Sequence, residues 1–193
     1  MKTLRIIVLG FVFGSFVNQV QANDFEVALS SDTAQFTFRS DSSLIGWGGA
    51  DLGFSFFYNE IDDVLGQISL VQNTPPSKQS PLTLGVGVKA YLGQIDRTNE
   101  NIGGLGIGGE IRYTFPGTMP MAVYLNGYIA PDITSFSDTE EIREFTLGFQ
   151  IEISPQTIAF VGVRNIEVDV DTAGGTEIEL DDDRAHIGVR LTF

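Results

Sequence analysis

Long, strict alternation of apolar and polar residues constrains this chain more than any other feature. From Leu82 to Leu92 one face is wholly apolar (Leu82, Leu84, Val86, Val88, Ala90, Leu92) and the other carries Thr83, Gly85, Gly87, Lys89 and Tyr91. Gly103 to Phe115 repeats the rule, with Leu105, Ile107, Ile111, Tyr113 and Phe115 opposing Gly104, Gly106, Gly108, Glu110, Arg112 and Thr114. Ile142 to Ile153 sets Phe145, Leu147, Phe149, Ile151 and Ile153 against Glu144, Thr146, Gly148, Gln150 and Glu152. The last stretch sets Ala185, Ile187, Val189, Leu191 and Phe193 against His186, Gly188, Arg190 and Thr192. Residues at period two share one face of a strand, so each stretch predicts a β-strand with one apolar side. Weaker versions lie at 25–31, 34–40, 46–59, 64–73, 120–130 and 157–168, and past residue 22 no stretch keeps helical spacing beyond two turns. The expectation is an all-β protein.

Two architectures use alternation: a soluble β-sandwich, which turns its apolar faces inward, and a transmembrane barrel, which turns them to lipid. Strand length separates them, because soluble strands cluster near ~5–6 residues whereas a tilted membrane strand needs ~9–11. The polar faces point the same way. They mix charge with glycine, which weakens an open sheet but gives a tightly curved barrel room to bend and to fill a narrow lumen. At 193 residues the chain is expected to form one domain, an antiparallel transmembrane barrel.

The first residues predict export. Lys2 and Arg5 precede an apolar run from Ile6 to Val17, followed by Val20-Gln21-Ala22, a small-residue cleavage site. The run is shorter than the ~20 residues of a spanning helix and is broken by Gly10 and Gly14. Residues 1–22 therefore read as a signal peptide cleaved after Ala22, with the barrel occupying 23–193. Its removal leaves nine basic residues against 25 acidic ones, a net charge of −16 that argues against a nucleic-acid partner. Cysteine is absent, so neither disulfides nor thiolate metal sites are available.

Both ends of a single-chain bacterial barrel normally lie on the periplasmic side, which makes the strand number even. Eight long segments cover 46–193. The piece from Phe25 to Ser40 changes its apolar parity across Ser30-Ser31-Asp32, a turn signal, and so counts as a hairpin. Ten strands are expected, with eight as the alternative. Read backward from the C-terminus, the acidic segment Asp169–Asp183, Pro131–Glu141 and Gln94–Asn101 read as long outer loops, and Ser154-Pro155-Gln156 and Pro116–Pro120 as tight inner turns. The connection Gln72–Pro81, with Pro75 and Pro76, and the short hairpin Glu60–Asp63 fit that rule poorly. Trp47, Phe54, Phe56, Phe57 and Tyr58, Tyr113 with Phe115, and Tyr124 with Tyr128 are candidates for interfacial aromatics.

The terminal strand ends in Phe193 with Leu191 two places before it. An apolar strand closing on an aromatic is expected to be the signal by which the outer-membrane assembly machinery takes up the chain; membrane lipid is the other expected partner. Alternation places Lys89, Glu110, Arg112, Glu144, Glu152 and Arg190 in the lumen, where charges are expected to pair. A barrel of eight to ten strands encloses little beyond side chains, so an open porin is not expected.

Chemistry is sparse. His186, the single histidine, follows Asp181-Asp182-Asp183, and a carboxylate beside an imidazole at the rim would make a general base for a lipid- or peptide-modifying barrel enzyme. No nucleophile accompanies it, and a lumen histidine in a polar network is the plainer reading. The acidic stretch from Glu167 to Asp183 lacks EF-hand spacing and reads as solvated charge. No catalytic residues, metal ligands or cofactor site are expected.

Several segments resemble the YfaZ family of Gram-negative outer-membrane proteins: Gly85-Val86-Gly87-Val88-Lys89-Ala90-Tyr91-Leu92-Gly93, Arg112-Tyr113-Thr114-Phe115-Pro116, Tyr128 to Ser137, Phe160 to Val168 and His186 to Phe193. The resemblance spans the mature length. It implies an outer-membrane barrel and no established substrate or catalytic residue, and it marks Ala130 to Ser137, read as an outer loop, for mutation. The expected function is a non-enzymatic outer-membrane barrel with a structural or interaction role, or a narrow solute channel. A barrel enzyme and a soluble periplasmic sandwich are the alternatives.

Overall fold

A computed structural model of the chain describes residues 23–42, 49–74, 80–96, 100–117, 119–170 and 176–193; side chains at 176, 177, 179 and 181–184 are not described. The signal-peptide segment 1–22 and Trp47 lie outside the described residues.

Strands are β1 (Asp24–Leu29), β2 (Thr33–Asp41), β3 (Asp51–Asn59), β4 (Val64–Asn73), β5 (Leu82–Ile95), β6 (Glu100–Phe115), β7 (Met121–Ala130), β8 (Ser135–Ser137), β9 (Thr139–Ser154), β10 (Thr157–Val170) and β11 (Thr176–Thr192). Each pairs antiparallel with its neighbour, and β1 pairs with β11, so the sheet closes on itself. The three residues of β8 take up the place of β7 higher on the wall of β6, after a 3-10 turn at Asp132–Thr134. The result is a closed antiparallel barrel of ten strands, and among the described residues there is no second sheet for a sandwich. The β1–β2 hairpin settles the count. Its turn is tied by Ser30, whose hydroxyl accepts from the Thr33 amide at 3.0 Å and meets the Thr33 hydroxyl at 2.7 Å.

Asn23 and Phe193 exchange backbone hydrogen bonds of 2.9 Å each way, so both ends of the described chain lie at one mouth of the barrel, termed the lower mouth. Around the ring the wall is uneven: β1 has 6 residues and β2 and β3 have 9, whereas β6 and β9 have 16 and β11 has 17. Most of what reads in sequence as outer loop is wall. The acidic segment Asp169–Asp183 is strand on both sides of 171–175, which lie outside the described residues, and Ala130–Ser137 is the kinked step from β7 to β8. Acidic residues form strand there because neighbouring strands supply the ladder: Asp169 pairs with Glu141 and Glu177, and Ile178 with Val168. The N-terminal segment expected at 46–59 begins, as described, at Asp51.

Outward faces carry the apolar alternation. Val86 is 69% exposed, Ile107 63% and Ile187 66%, and similar residues ring every long strand. On β5 the band runs from Leu82 to Leu92 and on β6 from Leu105 to Phe115, the ~9–11 residues of a tilted membrane crossing. Water does not tolerate such a continuous girdle; hydrocarbon does.

Above the band the polarity reverses. On β10, Val161 and Val163 face out, but Asn165, Glu167 and Asp169 then take the outward positions while Ile166, Val168 and Val170 turn inward and are fully buried. On β9, Phe145, Leu147 and Phe149 face out below, Glu141 and Arg143 above, and Ile142 is buried inside. There Arg143 gathers Glu141, Glu167 at 3.6 Å and Asp169 at 3.5 Å on the exposed surface. The upper wall is thus built as a water-facing sheet, and the lower wall as a lipid-facing one.

Candidate functional site: the charged lumen

Inward side chains fall into three layers. Uppermost is an apolar stopper contributed by almost every long strand: Phe57, Leu65, Tyr91, Ile95, Ile142 and Ile166 are each wholly buried, with Val168, Val170, Ile178 and Leu180 among them. The β3–β4 hairpin leans in to complete it. Asn59 donates to the Leu180 carbonyl at 3.4 Å and to Asp63 at 3.0 Å, and the Asp63 carboxylate accepts from the Asp96 amide at 2.9 Å. This lid ties the short side of the wall to the tall one.

Beneath the stopper lies an ionic layer. Glu144 accepts from the Lys89 ammonium at 2.9 and 3.0 Å, from the Tyr91 hydroxyl at 3.0 Å and from the Gln67 amide at 3.3 Å. The same ammonium stands 4.2 Å from the centre of the Tyr128 ring. A carboxylate removed from water is costly unless its oxygens are filled, and here donors on β4 and β5 fill them. Arg164 bonds Gln35 and, at 3.3 Å, Thr33, and lies 5.0 Å over Phe57. A cavity of about 70 Å³ lies between this layer and the charges below it.

The third layer opens at the lower mouth as a vestibule of about 400 Å³. Glu26 holds two guanidiniums at once, Arg39 at 3.1 Å and Arg190 at 2.7 and 2.8 Å. Arg112 is their neighbour across the lumen, with Glu110 and Asp51 nearby, but it forms no ion pair among the described residues, and its Nε is buried without a hydrogen-bond partner. At the rim Asp24 accepts from the Thr192 hydroxyl at 2.6 Å and Asp51 from the Asn73 amide at 2.7 Å.

Of the six lumen charges expected from alternation, Lys89 and Glu144 form one pair, and Glu110, Arg112 and Arg190 line the vestibule. Glu152 stands apart at the β9–β10 turn, where its amide donates to the Pro120 carbonyl at 2.9 Å; its carboxylate joins no ion pair among the described residues. Alternation left out Glu26, Arg39 and Arg164, which complete the network. Each sits on the lumen parity of a strand whose pattern is short or weak, and that parity was the available signal.

Glycines on the lumen faces make room for rings on neighbouring strands. Tyr124 lies against Gly148, Tyr128 against Gly108 and Phe160 against Gly188, each pair joined in register. His186 is buried at 3% exposure opposite Gly162, with the Phe160 ring 6.0 Å away. This corrects the rim position assigned to it, since it lies within the wall; the Asp181–Asp183 side chains fall outside the described ones. Among the described residues no group of three or more His, Cys, Asp or Glu is placed to hold a metal ion.

No protein-family model and no curated protein matches the sequence. Among solved structures the chain is similar to the outer membrane channel DcaP of Acinetobacter baumannii, at 10% identity and a TM-score of 0.40. That match covers 87% of this chain and 54% of DcaP, so the chain spans about half of DcaP's length. It is also similar to the NanC porin, at 9% identity and a TM-score of 0.38, covering 89% of this chain and 97% of that one. Omp33 of Acinetobacter baumannii aligns at 9% identity and a TM-score of 0.34, over 90% of this chain and 95% of that protein.

Proposed function

We propose that this is an outer-membrane protein, exported by a signal peptide at 1–22, inserted as a closed ten-stranded barrel with its termini in the periplasm, and serving a structural or interaction role without catalysis. The apolar girdle and the even strand number support the location, and the segments quoted above favour the YfaZ family. One observation carries the functional reading: side chains of β3, β4, β5, β9, β10 and β11 meet in a dry stopper across the lumen, with a paired ionic layer beneath it. An apolar constriction closes a pore by excluding water.

Purified protein in planar bilayers is therefore expected to stay silent across salts and voltages. Steady conductance from the parent protein would replace this reading with the narrow-channel one. Trimming the stopper by Tyr91→Ala and Ile142→Ala together is expected to produce conductance.

A further inference from the structure

We propose that the vestibule at the lower mouth is a binding site for a small zwitterion, a solute bearing one carboxylate and one ammonium group, such as an amino acid or a short peptide. Carboxylates ring the outer end of this cavity, and further in three guanidiniums face the two carboxylates Glu26 and Glu110. Asp24 lies beside Thr192 at the lower end of β1, and Asp41 and Asp51 face each other at the lower ends of β2 and β3. Arg39, Arg112 and Arg190 stand two or three residues in from the lower ends of their strands, Arg39 in register with Asp24, and Glu110 stands two residues beyond Arg112. A plain anion must pass the rim carboxylates, and a plain cation meets guanidiniums at the floor. A molecule with its carboxylate inward and its ammonium at the rim satisfies both levels.

The floor has spare capacity for that carboxylate. Glu26 and Glu110 offset two of the three guanidiniums, and Arg112 contacts no carboxylate at ion-pair distance among the described residues. Arg112 lines the cavity, and its Nε is buried without a hydrogen-bond partner, so this guanidinium has donor capacity that the protein leaves unfilled. Guanidinium takes carboxylate through two parallel hydrogen bonds, and an orphaned donor gains most when such an acceptor arrives. The cavity's 400 Å³ corresponds to the space of about a dozen waters, enough for a dipeptide.

Isothermal titration of the folded protein in detergent micelles with glycylglycine tests this. Saturable binding is expected, weakened at least tenfold for N-acetylglycylglycine, which lacks the ammonium, and for glycylglycinamide, which lacks the carboxylate. Arg112→Gln is expected to lower glycylglycine affinity at least tenfold. Asp51→Asn should also lower it, while leaving N-acetylglycylglycine no weaker. Folding of each variant is checked by heat-modifiable migration; should one variant not fold, the other and the probe comparison decide. Absence of saturable glycylglycine binding overturns the proposal, as does equal affinity for the acetylated probe or an undiminished affinity in the folded variants. The inference requires only the closed barrel, so its failure leaves the outer-membrane reading standing, and bilayer conductance would leave the binding result intact.

Discussion

At Glu144, four donor contacts from three residues converge on a single carboxylate, and that concentration makes the residue a sensitive point. Removing one member of a buried pair strands the other charge, at a cost of about 3–5 kcal/mol. Glu144→Gln and Lys89→Met are each expected to lose stability of that order, whereas the double variant, which leaves no lone charge and keeps an acceptor for Tyr91, should lose less than the sum. Urea unfolding in lipid vesicles, followed by heat-modifiable migration, measures this; additive losses would show that the pair is not coupled. The charges of the lumen were legible only where alternation is strong. Lys89, Glu144 and Arg190 lie in long strict runs, but Glu26 and Arg39 lie in strands of 6 and 9 residues, whose pattern is too brief to fix a face. Partnership was not legible at all, because Lys89 and Glu144 are 55 residues apart and meet only across the lumen.

Among elements, the strands are better read from sequence than the connections between them. Apolar runs on β5, β6, β9 and β11 predicted lipid faces that the structure carries, because one hydrophobic side repeated over many residues fixes the register. The upper ends were misread as loops for a physical reason: above the girdle the inward face becomes the apolar one, so acid-rich outward positions look like loop composition. The signal was present as a change of parity from Val161 and Val163 to Ile166, Val168 and Val170. This division gives a direct test. Val88, outward and near the middle of the β5 band, replaced by Arg is expected to cost about 2–4 kcal/mol in membrane-folded stability, and Asn165→Arg on the upper wall about 0–1. Equal costs at the two positions would contradict the division of the wall.

For the molecule as a whole, closure depends on a short seam. β1 meets β11 over six residue pairs, and the reciprocal bonds between Asn23 and Phe193 extend it at the lower mouth. Phe193 and Leu191 also face outward on the girdle, so the residues read as an assembly signal stand where the last strand presents its apolar side. Deleting Phe193 is expected to reduce the heat-modifiable, outer-membrane-inserted fraction several-fold, measured by fractionation and gel migration; undiminished insertion would remove that role. The reversal of polarity up the wall has a further consequence, for immersion depth. A barrel with a uniform exterior could ride up or down, or sit in thicker and thinner bilayers, by exposing more or less of the same surface. Here a rise in the hydrocarbon level would drown Asn165, Glu167 and the carboxylates around Arg143, so thickness mismatch must be absorbed by deformation of the surrounding lipid.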